Sequence, residues 1–432
     1  MKLKTILVSG AAAIVAGGAF AQSESLEDRI AALEAMVVEL KAELEAERED
    51  IVRIEMRSEE AIQTVTGMRE RSGFSVGDAT LSFGGFVDFD AHVTSLSDGA
   101  FAPNSVTRDF YIPGATPIGG EETTTTDFTA EATRFFLDGS QDVGGKKVSG
   151  HIEMDFLLSA QGNQRVSNSY SPRLRRAYLD IDGKWRIGQE WSTFQNTSAI
   201  PESASFLILS DGMIFERQAL LRYTNGPWQV ALENGNATIT SLDGSRIEAD
   251  GNLVPDVIAR YNHTGELGTV SFAAIARQLR LETGLIDEET FGWGVSASGR
   301  ISVGEKDDIR FNLAGGEGLG RYIGLNAFNG AAIDPADGSL EAIASYGGLV
   351  AWRHPFGETA RFNLGYSGLF ADNPDFIGDA ATKSVQSVYG AILWDVAPKV
   401  TLGTEIMAGV RELESGDDGN ITRVTFSTKY AF

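Results

Sequence analysis

The last eleven residues of the chain constrain its fold more than any other segment. Across 422–432, apolar or aromatic side chains alternate with polar or charged ones. The apolar positions are Val424, Phe426, Tyr430 and the terminal Phe432. A period of two puts the apolar set on one face of a β-strand and the polar set on the other. Such a strand is typical of the wall of a transmembrane β-barrel, with lipid outside and water inside.

The two ends of the chain together predict a location. Two early lysines precede an apolar, Ala- and Gly-rich core that ends in the cleavage pattern Ala19-Phe20-Ala21, so we predict a cleaved signal peptide over residues 1–21. The alternative, a retained helical anchor, would need about 20 apolar residues. Phe432 resembles the terminal signal that the barrel-assembly machinery recognises. We therefore predict the outer membrane of a Gram-negative cell.

The amino-acid composition agrees with a β-barrel and excludes some classes of binding partner. The chain has 49 Gly and 24 Phe, but its mean hydropathy is only −0.10. Barrels have this character because only alternate residues meet lipid. The net charge of −24 argues against nucleic acid as a partner and is typical of a surface that faces divalent cations and lipopolysaccharide. There are no cysteines, so thiol chemistry is excluded.

Residues 22–72 predict a periplasmic coiled coil. Apolar residues recur at a and d positions of a heptad: Ile30, Val37, Leu44 and Ile51 at a, with Leu26, Leu33 and Leu40 at d. β-branched a residues with Leu at d favour two strands, whereas residues 29–34, Arg-Ile-Ala-Ala-Leu-Glu, resemble a short pattern that specifies trimers. We predict a trimerising coil. A lone amphipathic helix docked elsewhere is the alternative.

Beyond a linker at residues 73–78, residues 79–432 predict a transmembrane β-barrel. The fold class is all-β, a sixteen-stranded antiparallel barrel preceded by the coiled-coil helix. The strand-like runs are 79–92, 126–141, 147–159, 172–182, 184–192, 214–225, 227–240, 253–264, 268–281, 289–303, 308–318, 341–353, 358–371, 382–396, 399–411 and 420–432.

The connections between these runs alternate in length. Long ones alternate with tight turns such as Gly144-Gly145, as expected for extracellular loops and periplasmic turns. The long connections are 93–125, 160–171, 193–213, 241–252, 319–340, 372–381 and 412–419. An even strand number puts both ends of the barrel in the periplasm. The alternative, a soluble β-sandwich, would not need an aromatic terminal strand.

Arginines fall repeatedly on the strand face opposite the apolar set. Phe135 and Leu137 oppose Arg134, and Phe272 opposes Arg277. The same pattern recurs at Arg260, Arg310 and Arg361. A charge facing lipid at mid-bilayer would cost about 2–4 kcal/mol, so we place these arginines in the lumen.

A regular strand cannot point Arg173, Arg175 and Arg176 to the same face, because residues 175 and 176 are adjacent. We therefore expect either a β-bulge in this strand or a position at the rim of the barrel for some of these arginines. Inward-facing guanidinium groups attract anions and can grip a carboxylate through two parallel hydrogen bonds. The alternative is that the arginines only support the wall by pairing with lumenal acids. Those acids would be Asp180, Glu190, Glu216 and Glu405.

The long connection from residue 192 to 213 is predicted to form a constriction. It contains Phe194, Phe206, Leu207 and Ile208, more apolar side chains than a solvated loop needs, with Glu202 and Asp211 as acids. We predict that it folds into the barrel. An extracellular flap is the alternative.

Catalysis has no support in the sequence. The four histidines, His92, His151, His263 and His354, are scattered without metal-ligand spacing, and no Ser–His pattern suggests a lipase. We predict no enzyme activity, no cofactor and no metal.

Three motifs resemble the DcaP-like trimeric porins. They are Arg-Arg-Ala-Tyr-Leu at 175–179, Ile-Gly-Gln-Glu-Trp-Ser-Thr-Phe at 187–194, and Glu-Arg-Gln-Ala-Leu-Leu-Arg-Tyr at 216–223. The resemblance implies a homotrimer of sixteen-stranded barrels, each with its own pore. It also implies passive uptake of small anions, notably dicarboxylates, through an arginine-lined eyelet, to which Arg134, Arg176, Arg217 and Arg222 correspond.

Parity and resemblance together give one set of pore residues. It comprises Arg134, Arg173, Arg175, Arg176, Arg217, Arg222, Arg260 and Arg277. The alternative function is structural, an outer-membrane anchor that tethers the envelope through its coiled coil.

Overall fold

The computed structural model describes residues 74–158, 169–283, 286–304 and 306–432. The predicted signal peptide and coiled coil lie outside these ranges. Within them, antiparallel strands occupy sixteen positions of a closed ring. The prediction of a sixteen-stranded antiparallel barrel is confirmed.

The strands include sixteen wall positions and shorter loop strands. They are β1 Phe74–Val76, β2 Ala79–Leu96, β3 Thr123–Thr129, β4 Arg134–Val143, β5 Lys146–Asp155, β6 Arg173–Ile181, β7 Trp185–Trp191, β8 Arg217–Asn225, β9 Trp228–Glu233, β10 Ala237–Thr240, β11 Arg246–Ala249, β12 Asp256–Gly265, β13 Gly268–Glu282, β14 Asp287–Val303, β15 Asp307–Glu317, β16 Ala331–Ile333, β17 Leu340–Ala342, β18 Ala344–Phe356, β19 Ala360–Asp372, β20 Thr382–Ala397, β21 Val400–Leu413 and β22 Asp418–Ala431. Short 3-10 turns lie in the loops, at Val106–Arg108, Pro113–Ala115, Thr197–Ala199, Gly320–Tyr322 and Asp375–Ile377.

The ring closes where β2 pairs with β22, from Phe86 opposite Ala431 to Leu96 opposite Ile421. On its other edge β2 pairs with two strands, its second half with β3 and its first half with β4. These two strands therefore fill one ring position, and the predicted run 126–141 is interrupted at 130–133.

The outer face of the ring is apolar. On β22, the side chains of Phe426 and Tyr430 are 57% and 49% exposed. Arg423, on the opposite face of the same strand, is only 2% exposed. The neighbouring wall repeats this alternation, as on β20, where Ile392 and Trp394 are exposed. A continuous apolar band of this kind is unfavourable in water and suits the hydrocarbon core of a bilayer. In the described part of the chain, no helix is long and apolar enough to cross a membrane.

The connections alternate in length around most of the ring. One end carries tight turns, such as 144–145 and 226–227, and the other carries loops such as 97–122, 192–216 and 318–343. The predicted long connection at 412–419 is wrong, because β21 and β22 extend towards each other and leave only residues 414–417 between them.

A second, four-stranded sheet forms from two loops, in the order β11-β10-β16-β17. The predicted strand 227–240 is therefore two elements: β9 in the wall and β10 in this sheet. Ile239 and Ile333 of the sheet join Leu279 and Leu281 of β13 in one buried apolar cluster. At the other end of the chain, residues 74–76 of the predicted linker form β1, which pairs with the start of β2.

Candidate functional site

The loop at residues 192–216 lies inside the barrel, as predicted from its apolar content. Leu207, Ile208 and Leu209 are buried in a cluster with wall residues that face inward, among them Leu349 of β18 and Tyr389 of β20. The extracellular flap is therefore ruled out for this segment. The loop starts at β7 and reaches the wall formed by β18–β21.

Hydrogen bonds attach this loop to the wall through its backbone. The Glu405 carboxylate accepts from the Ala204 backbone N at 2.9 Å and from the Ser205 hydroxyl at 2.6 Å. Further along, the Gly212 backbone N donates to Ser367 Oγ at 2.7 Å, and Asn312 Nδ2 donates to the Gly212 carbonyl at 2.8 Å.

Gly212 is required by the closeness of this approach. A Cβ at this position would lie 2.2 Å from the carbonyl oxygen of Gly348. Loop and wall backbones are therefore in direct contact, with no room for a side chain between them.

Two groups of inward-facing arginines meet this loop. The first arginine cluster consists of Arg134, Arg173, Arg175, Arg176 and Arg217 with the carboxylates of Glu153, Asp155 and Glu190. All these arginines belong to the predicted pore set.

A β-bulge explains how adjacent arginines of β6 both face inward. The register between β5 and β6 shifts between Glu153 and Met154. As a result Leu174 points outward, 48% exposed, while Arg175 and Arg176 are both buried. The bulge expected from the parity conflict is present.

Carboxylates of β5 bind most of the first cluster. Arg173 makes two 2.9 Å hydrogen bonds to Asp155. Arg175 bridges both acids, at 2.6 Å to Glu153 and 2.7 Å to Asp155. Arg134 lies 3.6 Å from Glu153.

Glu153 and Asp155 were not among the predicted partners. The parity of β5 could have identified them, since Ile152 and Met154 between and beside them face outward. Of the acids that were predicted, Glu190 binds Arg176 through two hydrogen bonds of 2.6 and 2.7 Å.

The other predicted acids have different partners. Asp180 pairs with Arg186 at 3.1 Å, and Glu216 pairs with Arg321 at 3.3 Å. Glu405 binds loop backbone, as described above.

Positive charge is in excess in the first cluster, where five arginines face three carboxylates. Among the described residues, Nη1 of Arg217 and Nε of Arg134 have no hydrogen-bond partner. Instead, the Arg217 guanidinium lies 4.5 Å from the centre of the Trp191 ring, and Arg134 and Arg175 lie 5.9 and 5.5 Å from the Phe206 ring. The surplus guanidinium groups thus face aromatic side chains at and within the inward loop.

The remaining predicted arginines hold loop backbone. Arg222 donates to the Thr193 hydroxyl at 2.8 Å and to the Trp191 carbonyl, and Arg260 donates to the Gln195 carbonyl.

Arg277 likewise binds Asp256 at 3.0 Å and the carbonyls of Gly318 and Leu319 at 2.8 and 3.0 Å. The structure therefore does not gather all eight predicted arginines at one place.

The second arginine cluster consists of Arg300, Arg310, Arg353 and Arg361 with the carboxylates of Glu202 and Asp308. The alternation of side chains predicted that Arg310 and Arg361 face the lumen, but the predicted set of pore residues did not include them. Arg300 and Arg353 were not predicted. Parity could also have found Arg353, because its neighbour Trp352 faces outward.

Glu202 of the inward loop is the shared partner in the second cluster. Its carboxylate lies 2.5 Å from Arg361 Nε, 3.1 Å from Arg353 Nε and 3.5 Å from Arg310 Nη2. Burial alone would raise the pKa of this carboxyl, but the three guanidinium groups outweigh burial and hold the pKa below its usual range.

The two clusters lie on opposite walls. The first spans β4–β8 and the second β14–β19, and β6 is seven positions from β15 in the ring of sixteen. The inward loop connects them, because its Phe206 ring lies against Arg175 of the first cluster and its Glu202 carboxylate pairs with the second.

Comparison with known families decides the identity of the fold. A sequence model of the DcaP outer membrane protein family matches residues 95–432. The chain belongs to that family. Its place is accordingly the outer membrane, in agreement with the apolar outer face of the ring. No curated protein matches the sequence.

Solved structures of DcaP and other porins share the architecture. The outer membrane channel DcaP of Acinetobacter baumannii superposes with a TM-score of 0.69 at 23% identity, covering 83% of this chain and 99% of that one. An anion-selective porin from Comamonas acidovorans gives a TM-score of 0.51 at 12% identity, covering 82% and 100%. OmpT of Vibrio cholerae gives 0.50 at 11% identity, covering 84% and 100%. At these identities the likeness establishes the fold.

Proposed function

We propose that this DcaP family member is an outer-membrane porin for passive diffusion of small anionic solutes, dicarboxylates among them. The observation that carries the proposal is the positive surplus of the first arginine cluster, where Arg217 and Arg134 keep guanidinium nitrogens without hydrogen-bond partners among the described residues. The description of the A. baumannii relative as a channel and of the Comamonas porin as anion-selective agrees with it.

The chemistry of guanidinium explains the preference for dicarboxylates. Its planar fork matches a carboxylate through two parallel hydrogen bonds. A solute with two carboxylates can interact with two such groups, whereas a neutral sugar gains nothing from the field. Local positive potential also raises the concentration of anions at the entrance of a narrow passage.

The assembly we propose is a homotrimer in the outer membrane, with residues 22–72 as a periplasmic coiled coil and lipid and lipopolysaccharide around the barrels. The C-terminus supports recognition by the assembly machinery. The Phe432 backbone N donates to the Gly85 carbonyl at 3.0 Å, and its ring lies 5.9 Å from that of Phe83 and 6.2 Å from that of Phe135. The terminal residue is thus part of an aromatic cluster on the outer face.

Two measurements on the purified protein test the proposal. In planar bilayers under a salt gradient, we expect a reversal potential that reports preferential passage of anions. In liposome swelling, succinate and phthalate should enter faster than sugars or amino acids of similar size. Equal rates for all solutes would remove the anion preference. Trimers that conduct no ions would favour the structural anchor instead.

A further inference from the structure

Glu202 occupies a position where three arginines of the wall converge. The arginines come from three neighbouring strands, Arg310 from β15, Arg353 from β18 and Arg361 from β19. Together they offer one carboxylate contacts of 3.5, 3.1 and 2.5 Å. We name this set the Arg310–Arg353–Arg361 cradle.

Contacts other than Glu202 hold the cradle in place. Arg310 donates to Asp308 at 3.0 Å and to the Ile200 carbonyl at 2.8 Å. Arg353 also lies 3.5 Å from Asp308, and Arg361 donates to Asp395 at 3.0 Å. Since each arginine has its own support, the cradle would keep its shape without the Glu202 side chain.

The loop backbone beside the cradle is likewise held without this carboxylate. Tyr389 Oη donates to the Glu202 carbonyl at 3.0 Å. Ala204 and Ser205 bind Glu405 on β21. Shortening the side chain of Glu202 should therefore empty the cradle and leave the loop where it is.

Part of the cradle is accessible to solvent. The side chains of Arg353 and Glu202 are 22% and 11% exposed. A small anion in the lumen can thus approach the guanidinium of Arg353.

We infer that the Arg310–Arg353–Arg361 cradle is a binding site for the carboxylate group of small solutes, and that Glu202 fills it as a tethered competitor. A solute carboxylate that takes the place of Glu202 makes the same ion pair with Arg353 and the same charge-assisted hydrogen bonds with Arg310 and Arg361. The role of the site in transport rests on the proposed function, whereas carboxylate binding by the cradle can be measured without it.

Replacement of Glu202 tests the inference in the full-length protein. In Glu202→Ala, formate or acetate should raise the melting temperature by about 2 °C or more relative to chloride at equal ionic strength, because an anion that binds only the folded protein stabilises it. The native protein and Glu202→Gln should show no such rise, since a side chain still fills the cradle in both. Glu216→Ala is the matched loop control, because its carboxylate pairs with Arg321 and accepts from the Arg217 backbone N, and neither arginine belongs to the cradle.

Each possible result of this experiment either supports the inference or refutes it. A variant Glu202→Ala that folds only when formate or acetate is present supports the inference as well as a shift in melting temperature does. No gain from either anion, in folding yield or in melting temperature, overturns it, as does an equal gain in Glu216→Ala. A channel that shows no anion preference while Glu202→Ala still binds formate would refute the proposed function and leave the cradle intact.

Discussion

The two arginine clusters use the same side chain in opposite ways. In the first, five arginines meet three carboxylates, and Arg217 faces the Trp191 ring instead of an acid. In the second, the loop carboxylate of Glu202 fills the space between three arginines. The first wall thus keeps positive charge that is not compensated, whereas a carboxylate of the inward loop compensates the positive charge of the second.

This difference separates selectivity from stability. A buried cation with a buried partner cannot be removed without leaving the partner unpaired, which typically costs about 3–5 kcal/mol. A cation among like charges has no such partner. Counting inward-facing arginines therefore says little about function until each is assigned its carboxylates.

The largest effect should follow from Arg310→Met in the second cluster. This change keeps the apolar stem but removes hydrogen bonds to Asp308, to the Ile200 carbonyl and to Glu202. We expect a loss of about 3–5 kcal/mol in the free energy of unfolding, measured by urea unfolding in lipid vesicles.

The control for Arg310→Met is Lys146→Met, which breaks an ion pair of 3.5 Å with Asp182 near a tight turn. Both partners of that pair are well exposed, so the cost should stay within about 1 kcal/mol. Similar losses for the two variants would mean that the second cluster does not stabilise the barrel.

Strand parity made the position of the arginines predictable, but not their partners. Alternation is local, so the inward direction of Arg134 or Arg310 follows from the adjacent residues alone. The contact between Glu202 and Arg361 joins residues 159 apart in sequence, and it depends on the path of a loop through the barrel. No period in the sequence encodes that path, although the apolar content of the loop did indicate that it turns inward.

Other departures have local causes. The interruption between β3 and β4 was missed, although the parity of the outward apolar residues changes across it, from Phe128 before the gap to Leu137 after it. At the gap a side chain takes the place of a strand backbone as hydrogen-bond acceptor, because Thr133 Oγ1 accepts from the Asp88 backbone N at 3.2 Å. The bulge in β6 was detectable only because it made three arginines conflict in parity.

The inward loop itself offers a sharper test, because it carries a second buried carboxylate, Asp211, that has no arginine partner in the described part of the chain. Asp211 accepts from Tyr111 Oη at 2.8 Å and from Ser387 Oγ. Burial raises its pKa from 3.8 to about 6, although these hydrogen bonds oppose the shift. The pKa of Glu202 shifts in the opposite direction, because arginines surround its carboxylate.

The raised pKa of Asp211 determines whether the free energy of unfolding rises or falls with pH. Since the folded protein favours protonated Asp211, the contribution to stability is full below about pH 4 and is lost as pH rises to about 6. Native protein should lose about 3 kcal/mol over this window relative to Asp211→Asn, measured by urea unfolding at pH 4 and pH 7. Glu121→Gln, at an exposed acid, controls for net charge. Parallel curves for native protein and Asp211→Asn would contradict the assignment.

A smaller effect is expected where the loop backbone touches the wall. In Gly212→Ala, the new Cβ would lie 2.2 Å from the Gly348 carbonyl oxygen, so loop and wall must separate. Overpacking of this kind typically costs about 1–3 kcal/mol. We expect lower stability and faster proteolysis within the loop. Gly150→Ala is the matched control, because its Cβ meets nothing closer than 3.8 Å.

The smallest change in stability, with the largest change in selectivity, should come from Arg217→Ala in the first cluster. No carboxylate pairs with this guanidinium among the described residues, and the nearby charges of Arg175, Arg173 and Arg134 repel it. Its removal should change the free energy of unfolding by no more than about 1 kcal/mol, because no buried acid loses its partner.

Selectivity should nevertheless respond to the loss of this charge. A unit charge about 8 Å from a permeating ion contributes roughly 2 kcal/mol at an effective dielectric constant of about 20, and about 0.8 kcal/mol after screening over one Debye length. Because the charge favours the anion and disfavours the cation by the same amount, its loss changes their difference by about 1.6 kcal/mol, and the anion-to-cation permeability ratio from reversal potentials should fall about fifteenfold. Arg277→Met is the contrasting control, since that arginine is bound to Asp256 and to loop carbonyls. It should lower stability more and selectivity less. If instead Arg217→Ala unfolds the barrel and leaves the reversal potential unchanged, the two clusters do not differ in the way that their ion pairs indicate.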